Sequence, residues 1–315
     1  MSRKIILDCD PGIADAVALT VALFDPRLDV LAVTATAGSV DADQATTNAM
    51  AIVHELDPPR YPQFGRAISP DDAAVIDDSD LNGPDGLGGC HFPNVSRQNN
   101  HTSDKVMADC LRRFPGEITI VCLGPMTNLA RLVRRDPTCV ALIDKVVIRG
   151  GAVASPGDAT AISEMNCFFD AAAAKSVFGS ATTKSLIPLD VTDQITFGVD
   201  LIEKLPSTAT RAGKLLRRLL PYIFRANHQR RGREVIPLAD AVAVAAVLEA
   251  DLFTWDEMAG DVEVAGTLTR GMTVFDRRLR PEWNVNMEVA LQASPTEVRD
   301  VIVRGLRYAG QKTMS

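Results

Sequence analysis

Three aspartates fall within one short segment near the start of the chain, Asp8-Cys9-Asp10-Pro11-Gly12-Ile13-Ala14-Asp15. The apolar run before them, Ile5 to Leu7, reads as a buried strand that ends at the acids. Side chains alternate along a strand, which puts Asp8 and Asp10 on the same side. Pro11-Gly12 predicts a tight turn, and Asp15 then falls in the first turn of a helix. Carboxylates this close repel one another, and a hard divalent cation bound through oxygen is the usual remedy. Helix capping accounts for Asp15. It leaves Asp8 and Asp10 unexplained at the end of an apolar strand.

Three later segments carry polar groups at similar junctions. Leu123-Gly124-Pro125-Met126-Thr127-Asn128 reads as strand, turn and helix, and taken alone is an ordinary turn. Ser163-Glu164-Met165-Asn166 places an acid and an amide two apart. That pair suits hydroxyl binding or the capping of a following helix. Asp240, between Ala239 and Ala241, opens an otherwise apolar helix and alone reads as a cap. His228, Arg230 and Arg231 lie in a basic helical stretch. They read as a solvated face, with a leaving-group contact as the other option. Cys90-His91 has no partner at metal-ligand spacing.

Alternating elements must position these groups. Strands are predicted at 4–7 and 29–36, with helices over 14–24 and 41–56 between and after them. Residues 71 to 102 break the rhythm with a run rich in Asp, Asn, Gly and Pro, long enough to be functional. Regularity resumes with helix 103–114, strand 118–123, helix 128–135 and strand 145–148. A second Gly-rich loop, 150–166, precedes helix 171–178 and strand 185–189. Residues 200–232 read as helical, 240–248 as an Ala/Val-rich helix, 262–265, 272–276 and 285–291 as short apolar runs, and 295–308 as a final helix. Strand–helix repetition of this kind implies an α/β fold: an open, mostly parallel, Rossmann-like sheet with flanking helices. With no repeat, low-complexity tract or linker, residues 1–315 read as one domain.

Composition narrows the function. A net charge of -7 offers no basic surplus for nucleic acid or an anionic membrane. No stretch reaches the ~18 apolar residues of a membrane helix, and MSRKIILDCD does not read as a signal peptide. The six cysteines are scattered, as reduced core thiols would be. A cytoplasmic protein acting on a small molecule fits these features.

Taken in order, the segments at Asp8, Gly124, Glu164-x-Asn166 and Asp240, with Gly271-Met272-Thr273-Val274-Phe275-Asp276-Arg277, resemble the inosine-uridine nucleoside hydrolase family over nearly the whole chain. The resemblance implies the nucleoside hydrolase fold, a homodimer or homotetramer, and calcium-dependent hydrolysis of an N-glycosidic bond. It implies one calcium per chain held by Asp10, Asp15, Asp240 and the Leu123 carbonyl, with Asp10 as general base and Asp8 supporting from behind. Glu164 and Asn166 would bind ribose hydroxyls, with Asp158, Ser39 and Asn82 also at the substrate.

Several positions depart from the family pattern. Ala14 stands where a second aspartate is usual, Ser39 where asparagine follows Gly38, Asn82 where histidine is expected, and Asp158 where asparagine is expected after Gly157. Ala239 replaces the histidine of a His-Asp pair, and Arg149 replaces methionine. The metal ligands persist, while part of the sugar-binding set and the acid for the leaving base do not. The alternative reading is a non-catalytic protein that binds calcium and a nucleoside. The unrelated alternative is a phosphatase of the haloacid-dehalogenase type, whose DxDxT motif is poorly matched here, with Gly12 at the threonine position and no evident downstream lysine motif.

Overall fold

The computed structural model describes residues 2–93 and 101–314. Its strands are β1 (Arg3–Cys9), β2 (Leu28–Ala35), β3 (Gln63–Gly65), β4 (Ile118–Cys122), β5 (Ile143–Arg149) and β6 (Lys184–Ile187). They continue with β7 (Thr196–Gly198), β8 (Val235–Pro237), β9 (Phe253–Met258), β10 (Gly260–Val262), β11 (Thr273–Phe275) and β12 (Met287–Ala293). Eight of them form one sheet in the order β3-β2-β1-β4-β5-β6-β12-β9. All neighbours are parallel except β9, which runs antiparallel at the edge. The pairs β7–β8 and β10–β11 are separate antiparallel ribbons.

The inner strands are apolar because both faces are covered. In β1, Ile5, Leu7 and Cys9 join one core cluster and Ile6 joins the other. In β4, Val121 faces the first cluster, while Ile118, Ile120 and Cys122 face the second. The first cluster is closed by helices Ile13–Phe24, Ala42–Leu56, Arg211–Arg231, Ala239–Leu248 and Pro295–Lys312. Helices Ser103–Arg113, Thr127–Arg135 and Ala171–Phe178 close the second. Two-sided burial turns a parallel strand into a continuous apolar word, which is why β1 and β4 were readable from sequence.

The strand order reverses between β1 and β4. From β1 the chain builds outward through β2 and β3, and from β4 it builds the other way. The two loops that leave β1 and β4 therefore part from each other. Their separation opens a crevice at the carboxyl ends of the strands, where open α/β sheets bind ligands.

Two expectations are corrected. The sequence reading passed over β9, whose Phe-Thr-Trp-Asp-Glu-Met buries only Phe253 fully, exposes Thr254, Asp256 and Glu257, and carries two acids. Such a half-solvated pattern suits an antiparallel edge better than a buried strand. The helical reading of 200–232 divides into Leu201–Lys204 and Arg211–Arg231. Pro206 lies between them and restricts both itself and Leu205. Part of the first Gly-rich loop, 94–100, lies outside the described residues. No helix among the described residues is long and apolar enough to cross a membrane.

Candidate active site

The crevice holds a cavity of about 280 Å³, near the lower end for small-molecule sites. Asp10, Asp15 and Asp240 line it together with Ala14, Ser39, Asn82, Arg149 and Asp158. Five chain segments far apart in sequence thus meet at one switch point.

Asp10 follows the end of β1 and is 4% exposed. Its Oδ2 accepts from the backbone N–H and the hydroxyl of Ser39, both at 3.0 Å. Two glycines make room for it. A Cβ on Gly38 would lie 2.3 Å from Asp10 Oδ2, and one on Gly124 would lie 2.7 Å from Oδ1. Asp15 opens the first helix, where its Oδ2 accepts from the Gly12 N–H at 3.0 Å and caps the N-terminus. Its Oδ1 is buried without a hydrogen-bond partner. Asp240 enters from the start of helix Ala239–Leu248.

Burial and mutual repulsion set the electrostatics. Burial first, then the charge of Asp240, pushes the Asp10 carboxyl up to about 7, against the pull of the Ser39 hydrogen bonds. Asp15 is raised well above the usual carboxylate range by burial, Asp240 and Asp10. Asp240 is raised by burial and drawn back by Arg149.

Asp8 does not join this ring, which corrects the expectation that Asp8, Asp10 and Asp15 converge. Asp8 sits inside β1, on the sheet face covered by helix Thr127–Arg135. Its Oδ1 accepts from Thr34 Oγ1 at 2.7 Å and Asn128 Nδ2 at 2.8 Å. The strand ends at Cys9, so the period of two no longer governs Asp10, and the turn carries that side chain into the crevice. Asp240 supplies the third carboxylate instead. Asp8 still braces the site, since its backbone carbonyl accepts from Leu123 N at 2.7 Å.

The opposite wall comes from β5 and the second Gly-rich loop. Glu164 is fully committed. Its Oε1 accepts from Arg149 Nη1 at 2.7 Å, and its Oε2 accepts from Gly151 N at 3.0 Å and Cys167 N at 3.1 Å. Asn166 donates through Nδ2 to the Leu123 carbonyl at 2.8 Å and the Arg149 carbonyl at 3.1 Å. Its Oδ1 is buried with no partner. Asp158 Oδ1 accepts from Met165 N at 2.8 Å. Asn82 accepts from Ile13 N at 3.3 Å and donates to Asp78, which ties the first loop to the first helix.

Arg149 is the residue whose role sequence reasoning missed. Its Nε lies 3.4 Å from Asp240 Oδ1 while Nη1 holds Glu164. Burial opposes its charge, but Asp240, Glu164, Asp158 and Asp10 together outweigh burial and hold it protonated. The signal was available as the arginine that stands where methionine was expected. Of the basic residues considered for the leaving group, Arg231 alone lines the cavity. His228 is exposed beside Glu234, and Arg230 pairs with Asp80.

A divalent cation fits the donor chemistry here. The acceptors are carboxylate and carbonyl oxygens, which hard cations prefer, and Asp15 Oδ1 is an orphaned buried oxygen. As they stand, no three acidic, imidazole or thiol groups among the described residues close to coordination distance of one point.

The fold and cleft define an α/β protein with an acidic small-molecule site, and the comparisons with known proteins place it among hydrolases. The model of the inosine-uridine preferring nucleoside hydrolase family matches residues 5–300. The pyrimidine-specific ribonucleoside hydrolase RihA of Salmonella arizonae is 33% identical, over 98% of this chain and 100% of its own. The non-specific ribonucleoside hydrolase RihC of Salmonella enteritidis is 34% identical, over 98% and 99%. Among solved structures, a purine-preferring ribonucleoside hydrolase from Gardnerella vaginalis superposes with a TM-score of 0.89 at 27% identity, over 98% of this chain and 100% of that one. The chain belongs to the inosine-uridine preferring nucleoside hydrolase family.

Proposed function

We propose that this protein hydrolyses the N-glycosidic bond of a nucleoside or closely related glycoside, releasing free base and sugar, with Asp10 as the general base. The observation that carries this reading is the placement of Asp10. It is a buried carboxyl at the switch point, anchored through Oδ2 by Ser39 and lining the cleft beside Asp15 and Asp240, where a general base would meet a substrate.

Asp10, Asp15, Asp240 and the Leu123 carbonyl would hold one calcium. When bound, a hard dication supplies acidification of water and a grip on sugar hydroxyls. The protein's own groups do the rest. Ser39 anchors Asp10 through Oδ2, which leaves Oδ1 to take the proton of the attacking water. The carboxylates around it stabilise the positive charge of an oxocarbenium-like transition state. Asn166 Oδ1, buried and without a partner behind the cavity lining, is the acceptor a sugar hydroxyl would use. Glu164 can add to that only by sharing an oxygen it already gives to Arg149 or the backbone.

The leaving base meets different chemistry. Among the described residues, no histidine lines the cavity. Arg231 offers guanidinium N–H donors, so it can hydrogen-bond a departing anion. Asp78 also lines the cavity, and burial raises its carboxyl above the ordinary range. A base that leaves with little protonation suits this set. The names of the relatives span pyrimidine, non-specific and purine preferences, so they do not choose the base. A cytoplasmic homodimer or homotetramer is part of the same reading.

The test is free-base release, followed by chromatography, from a panel of ribonucleosides and 2′-deoxyribonucleosides with calcium present. Release that disappears in Asp10→Asn is the expected result. No release from any member of the panel would move the assignment to a binding protein. Release unaffected by Asp10→Asn would remove Asp10 from its role.

A further inference from the structure

Arg149 ends β5 and turns its guanidinium into the cleft. One planar cation thereby touches both walls, through Glu164 at 2.7 Å and Asp240 at 3.4 Å. Its side chain is only 13% exposed, and those of Glu164 and Asp240 are 0% and 7%. Water screens such a trio poorly, so each charge is strongly felt by the others. A guanidinium does not release its proton in a protein, so this positive charge is permanent. Asp240 is also one of the carboxylates assigned to calcium, and the guanidinium lies directly beside it. Two cations thus have a claim on the same carboxylate.

We propose that Arg149 is a latch that competes with the divalent cation. Engaged with Asp240 and Glu164, it neutralises the acidic cleft and lowers its affinity for calcium, and full coordination requires the guanidinium to release Asp240. The proposal rests on the assignment of Asp10, Asp15 and Asp240 as cation ligands, and it does not depend on turnover. It makes three consequences. The cation-free protein is stabilised by Arg149, because the guanidinium supplies countercharge to Asp240 and Glu164. Calcium binding is weaker than the carboxylate count alone implies. Removing the charge at 149 reverses both effects together, which a residue that merely filled space would not do.

The experiment is calorimetric titration of calcium chloride into the full chain after chelator treatment, with no nucleoside present, alongside melting temperatures in chelator and in calcium. Arg149→Met is expected to bind calcium at least ~10-fold tighter than the natural protein. It should melt lower in chelator and gain more on adding calcium. Arg149→Lys, which keeps the charge, should stay near the natural affinity. Arg149→Gln repeats the measurement on a second neutral side chain should the methionine variant fail to fold. Unchanged or weaker binding in the neutral variants overturns the latch, and so does a natural protein and variants that all bind no calcium. Tightened binding without base release in any variant would leave the latch standing and sink the hydrolase reading alone.

Discussion

The two walls of the cleft solve the same problem in opposite ways. On the β1 side, Asp10 and Asp15 are buried with capacity left over, and Asp15 Oδ1 has no partner at all. On the β5 side, Glu164 is buried just as deeply but spends both oxygens on Arg149 and two backbone amides. Burying an unsatisfied carboxylate is costly, so the first wall is held under electrostatic stress that a ligand can relieve. The second wall is nearly self-sufficient, with Asn166 Oδ1 as its open acceptor. The difference teaches which side is built to be completed by something from outside, and which is built to hold its shape.

The sharpest way to break that comparison is Asp10→Asn. It keeps the shape of the side chain and removes the base, so base release should fall by ~10³-fold or more with the fold intact. Circular dichroism and chromatography together check this. A variant that folds and retains more than a tenth of the activity would end the assignment. Gly124→Ala attacks the same wall by crowding. The new Cβ would stand 2.7 Å from Asp10 Oδ1 and 2.9 Å from the Asp10 backbone nitrogen. A loss of turnover of ~10²-fold is expected, with destabilisation of ~1–3 kcal/mol from overpacking. Full activity in that variant would mean Asp10 does not need its observed place.

Substitutions on the other wall should separate stability from binding. Glu164→Gln leaves Arg149 short of a buried countercharge and should cost ~3 kcal/mol or more of stability in urea denaturation. Asn166→Ala deletes the open acceptor, and KM should rise ~10-fold as a sugar hydroxyl loses its partner. If Asn166→Ala leaves KM alone, that oxygen faces no substrate.

The effect furthest from the chemistry is expected behind the cleft, at Asp8. Burial pushes its carboxyl up to about 7, against the hydrogen bonds from Asn128 and Thr34. The folded protein therefore keeps a proton there between about pH 4 and pH 7 that the unfolded chain has released. Where the native state binds more protons, stability falls as pH rises. Compared with Asp8→Asn, the natural protein should lose stability across that window and show no further divergence above it. The loss is on the order of a few kcal/mol. Denaturation curves of both proteins at several pH values test this, and parallel curves would show that Asp8 does not titrate there.

Much of the molecule was legible because its strongest signals are local. The apolar words of β1 and β4, the glycines that follow them and the acid at the head of helix Ala239–Leu248 each announce a strand end or a helix start. A long-range meeting left fewer traces. Asp240 alone reads as a cap, and Leu123 alone reads as the end of a strand before an ordinary turn. Nothing local joins them to Asp10, and only the ordered resemblance over the whole chain did so. The edge strand β9 was lost for the complementary reason, since half-solvated strands carry charges that break the apolar pattern.

The sequence by itself determined the alternation of strands and helices, the buried character of the inner sheet and the chemical types available to the cleft. These follow from periodicity and side-chain chemistry, which act over a few residues. Tertiary structure decided that Asp8 faces helix Thr127–Arg135 while Asp10 faces the crevice. It also decided that Asp240 completes the acidic ring and that Arg149 reaches both walls. Those outcomes depend on where the strand order reverses and on which loops the reversal brings together, and electrostatic contacts between segments ninety residues apart have no local signature to read.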